Sequence, residues 1–153
     1  MLLKYQFPAV KGYQAGKEYY ICMVPLGLLS KIFISDNGDV APEYRAQRKL
    51  NESRIPEIRD YILNNRDSYV FSALAASIDG DVNFIPTHDG AQVGVLEVDM
   101  DASFLINDGQ HRKAAIDAAI TEDESLKSET ISVVMYKDQG LKRSQQMFTD
   151  LNK

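Results

Sequence analysis

The 153-residue chain carries one Cys, two His and no Trp, and each scarcity closes off a class of chemistry. A single Cys cannot form a disulfide within the chain, nor can it supply a Cys-rich zinc site or an iron–sulfur cluster. A mixed site would have to draw on Cys22, His88 and His111, which are far apart in sequence and include no pair at i,i+4 spacing. Cys22 lies inside the apolar run YYICMVP and reads as a buried structural thiol. No run approaches the roughly 18 apolar residues that a membrane-spanning helix needs. The opening MLLKYQFPAVKGYQ is interrupted by Lys4, Gln6 and Pro8, so it has no apolar core of a secretion signal. The expectation is a cytoplasmic, reducing setting, in which the Asn51-Glu52-Ser53 glycosylation sequon has no role.

What the chain does have is enough apolar mass for one core: 44% hydrophobic residues against 25% charged. That composition excludes disorder along the whole length, and the length fits one domain spanning 1–153. The net charge of −5 argues against binding a polyanion through the overall field. The charge is unevenly divided, with 10 Lys+Arg against 7 Asp+Glu in residues 1–66 and 7 against 15 in residues 67–153. The densest basic run, PEYRAQRKLNESRIPEIR, holds Arg45, Arg48, Lys49, Arg54 and Arg59.

Residue patterning predicts an α+β fold with a small mixed sheet and packed helices. Strands are expected at 19–25, 31–35, 70–78, 82–86, 93–98, 104–107 and 131–136, from short β-branched and aromatic runs bounded by Gly, Asn and Asp turns. The three runs between 70 and 98 read as a meander, being joined by tight turns at Asp79-Gly80 and His88-Asp89-Gly90. Helices are expected over RIPEIRDYILNN, with Ile55, Ile58 and Ile62 on one stripe, over HRKAAIDAAI, and over LKRSQQMFTDLNK at the end. The acidic stretch TEDESLKSE (121–129) reads as a solvated loop or a frayed helix end. The last helix has no C-cap beyond it, which suggests the N-terminal part of a longer protein.

Gly12-Tyr13-Gln14-Ala15-Gly16-Lys17-Glu18 looks like a phosphate loop, but it has three residues between its glycines and Glu18 where a hydroxyl should bind magnesium; it reads as a loop before a strand. The informative segment is FLINDGQHRKAA (104–115), where an apolar strand breaks into consecutive polar residues and an Ala-rich helix follows at once. Free N–H groups and the positive end of the helix dipole stabilise an anion at such a junction. Gly109 allows close approach and Arg112 offers a planar fork to two phosphate oxygens. His111 can donate a hydrogen bond or act as a general acid, Asp108 can hold a metal ion or orient a water, and Gln110 is a further polar positioner. The plainer reading makes Asn107 or Asp108 an N-cap and Gly109 a turn residue. On the last helix Gln145, Thr149 and Asn152 share a polar face, whose plain reading is solvation.

DGQHR at 108–112 resembles the motif of the DGQHR-domain proteins, and the chain as a whole is similar to the DndB family of DNA sulfur-modification (phosphorothioation) proteins. The likeness extends over GYQAGKEYYICMVPLGLLSKIF, PEYRAQRKLNESRIPEIRDYIL, YVFSALAASIDGDV, FLINDGQHRKAAI and GLKRSQQMFTDLN. The resemblance implies a ParB/sulfiredoxin-like fold, in which a strand-to-helix turn with Gly and Arg cradles nucleotide phosphates. Sulfiredoxins carry a catalytic Cys in that turn; here Gln110 and His111 stand there. It implies that Gly109 and Arg112 bind the phosphates of ATP or GTP with Mg2+, and that Asp108, Gln110 and His111 surround the reacting phosphoryl group. Arg48, Arg54 and Asn152 are expected to assist, and DNA and other DNA sulfur-modification proteins are the expected partners, in a bacterial cytoplasm. The alternative is a non-enzymatic DNA-binding transcriptional regulator of the sulfur-modification genes, with Arg45, Arg48, Lys49 and Arg54 on the DNA backbone. A third reading, a DNA nickase, needs a metal-bound or nucleophilic site that the sequence does not assign; the Asp99-x-Asp101 pair and Asp108 are candidate magnesium ligands that read more simply as turn residues.

Overall fold

The computed structural model describes residues 3–33 and 53–137. Alternating burial at the start of the chain builds a long hairpin. In β1 (Lys4–Gln14) Phe7 and Ala9 turn inward, and in β2 (Lys17–Pro25) Tyr20, Cys22 and Val24 do the same. The two strands are joined by Ala15 and Gly16 at φ 53° and 76°, the positive pair whose twist matches a two-residue hairpin. The supposed phosphate loop is therefore neither a phosphate loop nor a loop before a strand. Gly12, Tyr13 and Gln14 lie in β1, and Lys17 and Glu18 open β2.

The strand expected at 31–35 is a second correction. Leu26, Leu29 and Ile32 recur at helical spacing, and all three are buried on α1 (Leu26–Ile32), which Phe33 terminates; residues 34 and 35 lie outside the described residues. The next helix, α2 (Arg54–Asn64), follows expectation. Pro56 falls in its first turn, where a missing N–H is harmless, and Ile62 is buried with Ile55 and Ile58 half-buried.

Four strands and a helix follow: β3 (Leu74–Asp79), β4 (Val82–Pro86), β5 (Val93–Asp99), β6 (Ser103–Asp108) and α3 (Gln110–Glu122). A 3-10 turn at Glu124–Ser128 then leads into β7 (Thr130–Lys137). The seven strands form one sheet in the order β4-β5-β1-β2-β7-β3-β6, antiparallel except for β3 beside β7. The expected meander is thus corrected: β4 and β5 are a hairpin, but β3 pairs with β6 and β7 instead. Short links join strands from opposite ends of this order, so the sheet curls. At the corner Asp99 donates its N–H to Asp81 O at 3.3 Å, and the Tyr5 ring of β1 meets the Phe104 ring of β6 edge-on. Inside the curl, Phe7, Val24, Leu74, Ile78, Leu96 and Val133 share one core with Leu29 of α1, Ile62 of α2 and Ile116 of α3.

The acidic stretch 121–129 is not a solvated loop. Its first two residues finish α3, Leu126 is fully buried, and two of its carboxylates hold the segment that precedes β3. Arg66 donates from Nε to Asp123 (2.8 Å), from Nη1 to Glu129 (3.0 Å) and from Nη2 to Ser125 (2.9 Å), and the Tyr69 hydroxyl also donates to Glu129. The hydrogen bonds from Ser125 and Arg66 hold Asp123 down at about 2, and those from Tyr69 and Arg66 lower Glu129. A carboxylate with a depressed native pKa stabilises the fold fully above its unfolded value, near 3.9 for Asp, and stops doing so as pH falls through the native one. An acid titration followed by circular dichroism should therefore show stability falling between about pH 4 and pH 2. Arg66→Ala should melt lower at pH 7 and have a flatter acid limb; an unchanged limb would show that the clasp does not contribute.

Candidate functional site

The DGQHR turn grows out of an irregularity in the sheet. Along β3 and β6 the register runs Ser77↔Leu105 and Ala76↔Ile106, then jumps to Ala75↔Asp108, so Asn107 is an extra residue, a bulge that re-aims the chain. Its side chain is buried; Nδ2 donates to Ser77 Oγ at 2.7 Å, and Oδ1 has no partner. Two residues later Gly109 takes φ 106°, ψ 21° and starts α3 without any side-chain cap. This corrects the reading of Asn107 or Asp108 as N-cap. With the left-handed glycine at the cap position, the first N–H groups of the helix meet no carboxylate or hydroxyl among the described residues.

Only glycine fits at 109. A Cβ there would lie 2.3 Å from Leu74 Cδ2 and 3.0 Å from Arg112 Nη2, so the guanidinium rests directly over the turn. Arg112 donates from Nη1 to Ser72 O (2.8 Å), Ser72 Oγ (2.5 Å) and Ala73 O (3.2 Å), while Nη2 is 3.8 Å from the exposed carboxylate of Asp108. Gln110 reaches back from Nε2 to Ile106 O at 3.2 Å, which ties the turn to β6. His111 Nε2 is buried without a hydrogen-bond partner among the described residues. Lys113 pairs with Asp117 at 2.6 Å; burial raises Asp117, opposed by that lysine, and its Oδ1 is unpartnered.

The electrostatics are lopsided. The positive end of the α3 dipole is followed within one turn by Arg112 and Lys113, with no acidic residue in that turn. Cations at a helix N-terminus are unfavourable by about 0.3–1 kcal/mol each, and an anion there removes the penalty. Gly109 to Ala114 are half-buried, and Ala115, Ile116, Ala119 and Ile120 turn into the core. Both cations have partners within the fold, Arg112 the oxygens of Ser72 and Ala73 and Lys113 the carboxylate of Asp117, which leaves the Nη2 side of Arg112 facing the turn.

The residues singled out in the sequence divide as follows. Asp108, Gly109, Gln110, His111 and Arg112 form this one contiguous site. Arg54 opens α2, which packs along α3, but no hydrogen bond or ion pair links it to the turn among the described residues. Arg45, Arg48, Lys49, Gln145, Thr149 and Asn152 lie outside the described residues. Cys22 is buried in the core, and burial pushes its thiol up to about 12. His88 is exposed on the β4–β5 hairpin, Asp99 ends β5 and Asp101 sits in the turn before β6. Among the described residues no three His, Cys, Asp or Glu side chains are grouped to hold a metal. A magnesium ion at the turn would thus rely on Asp108 and on phosphate oxygens, a ligand set that suits it. Sequence reasoning missed Ser72, and no local signal marks a residue 40 positions from its arginine.

The family model for DndB, described as DNA-sulfur modification-associated, matches residues 7–153. The chain belongs to the DndB family. Its involvement is therefore in DNA sulfur modification. No curated protein and no solved structure matches this DndB-family chain. Its described residues include no helix long and apolar enough to cross a membrane.

Proposed function

We propose that this DndB-family domain binds a nucleoside triphosphate, ATP or GTP, at the Asp108–Arg112 turn and hydrolyses it in the course of DNA sulfur modification or its control. The observation that carries the reading is the start of α3, whose glycine cap offers no side-chain hydrogen bond, with Arg112 and Lys113 in its first turn and a glycine whose Cβ would strike Leu74 and Arg112. A terminal phosphate at that point receives the free N–H groups and the Nη2 side of Arg112. Asp108, exposed at the mouth of the turn, orients a water for in-line attack; His111 supplies a proton to the leaving oxygen, and Gln110 holds the turn against β6. Magnesium bound with Asp108 would neutralise charge on the phosphoryl oxygens. Arg54, with Arg48 and Asn152, belongs to the same proposal as support for the nucleotide. The reading is consistent with a ParB/sulfiredoxin-like fold, a cytoplasmic setting, and DNA and the other sulfur-modification proteins as partners.

The test combines calorimetric titration with ATP and GTP, a phosphate-release assay, and a gel-shift series against salt. Saturable nucleotide binding with magnesium-dependent phosphate release is the expected result. DNA binding that weakens steeply with salt, without any nucleotide binding, would instead support a non-enzymatic regulator.

A further inference from the structure

The segment between α2 and β3 is a strap, fixed by side chains where the ladder of the sheet does not reach. At its start Arg66 is bound to Asp123, Ser125 and Glu129, and Tyr69 to Glu129. At its middle Val70 donates its N–H to the Tyr61 hydroxyl of α2 at 2.8 Å. At its end Ser72 and Ala73 receive Arg112 Nη1. The first two anchors involve no residue of the DGQHR turn, so Ser72 is placed by groups other than Arg112 and acts as a fixed acceptor for it.

We infer that Ser72 is a positioning residue for the phosphate site: its carbonyl and hydroxyl oxygens hold one guanidinium nitrogen of Arg112 so that the other stays over Gly109. The inference rests on the nucleotide reading above. Its physical content is preorganisation. A long arginine side chain otherwise samples many rotamers and must be ordered when ligand arrives, whereas here Nη1 is engaged by three oxygens at 2.5–3.2 Å. These acceptors are neutral, so they orient the fork without cancelling its charge, and the nearest carboxylate among the described residues, Asp108, is 3.8 Å from Nη2. A phosphate approaching over Gly109 then meets a nitrogen already in place. Ser72 itself is exposed, so its hydroxyl adds little to the folded state and its loss is read in binding.

The experiment is titration of the full chain with magnesium and ATP for wild type, Ser72→Ala, Ser72→Thr, Arg112→Ala and Arg112→Lys, and for Ser72→Ala combined with Arg112→Lys, with melting curves alongside. Ser72→Ala should bind ATP about tenfold more weakly, the size of one lost hydrogen bond to a charged group. Its melting curve should be unchanged, and Ser72→Thr should restore the affinity. In the Arg112→Lys background, where a single ammonium cannot be held on one side and presented on the other, Ser72→Ala should change affinity less than about twofold. Wild-type affinity in Ser72→Ala, with binding lost in Arg112→Ala, would overturn the positioning role and leave the phosphate site standing. An equal tenfold effect in both backgrounds would also overturn it, because Ser72 would then act without the guanidinium. Intact binding in Arg112→Ala would overturn the phosphate reading and this inference together.

Discussion

Gly109→Ala should lose stability and nucleotide binding in one step. The left-handed backbone at φ 106° is costly for any residue with a Cβ, by about 1–3 kcal/mol. The new methyl group would also stand 2.3 Å from Leu74 Cδ2, and Leu74 is fully buried at the start of β3, with no space to withdraw into without repacking the core. Overpacking of this kind adds about 1–3 kcal/mol. A combined loss of about 2–6 kcal/mol lowers the melting temperature by roughly 4–24 °C in a domain of this size. Repacking also displaces Arg112, whose Nη2 lies 3.0 Å from the same methyl position, so ATP affinity should fall beyond measurement. Differential scanning calorimetry and an ATP titration on one preparation check both halves. A variant that melts like wild type would show that the turn tolerates a side chain and is less constrained than described.

Arg112→Ala should behave differently, with binding lost and the fold retained. The guanidinium rests over Gly109 beside Leu74, and the charge-assisted hydrogen bond that its Nη2 side offers a phosphate is worth enough that its removal weakens ATP binding by about 100-fold. Stability should change by no more than about 1 kcal/mol, because water can reach the Ser72 carbonyl once the guanidinium is gone and β3 keeps its pairing with β6 and β7. Arg112→Lys should recover only part of the affinity, since an ammonium is a point charge without a fork. Melting curves beside calorimetric titrations distinguish this from Gly109→Ala. A large drop in stability with Arg112→Ala would recast the arginine as a structural clamp on the strap.

Local chemistry announced the turn but not what surrounds it. The seven consecutive non-apolar residues after the FLI run, with an Ala-rich helix behind them, are a pattern that short-range physics can read, and the structure has the strand-to-helix turn at Asp108–Arg112. The N-cap was misread because Asn and Asp ordinarily cap helices, whereas here a bulge buries the Asn107 side chain against Ser77 and passes the cap position to glycine. The 31–35 strand was misread because β-branched residues were weighed above the helical spacing of Leu26, Leu29 and Ile32. The meander failed because strand order depends on long-range pairing, which sends β3 to the opposite end of the order from β4 despite the tight turn between them. The acidic stretch 121–129 was read as solvated because its counter-charge, Arg66, is more than fifty residues away in sequence. Ser72 belongs to the same class: partners across such distances leave no periodicity and no motif.

The most direct test of the central claim is backbone amide NMR of the chain titrated with magnesium and ATP. The account predicts saturable shifts concentrated at Gly109, Gln110, His111 and Arg112, with a smaller response at Ser72 and Ala73. Saturable shifts confined to other parts of the molecule, or none at millimolar nucleotide, would contradict the assignment of the turn as a phosphate site.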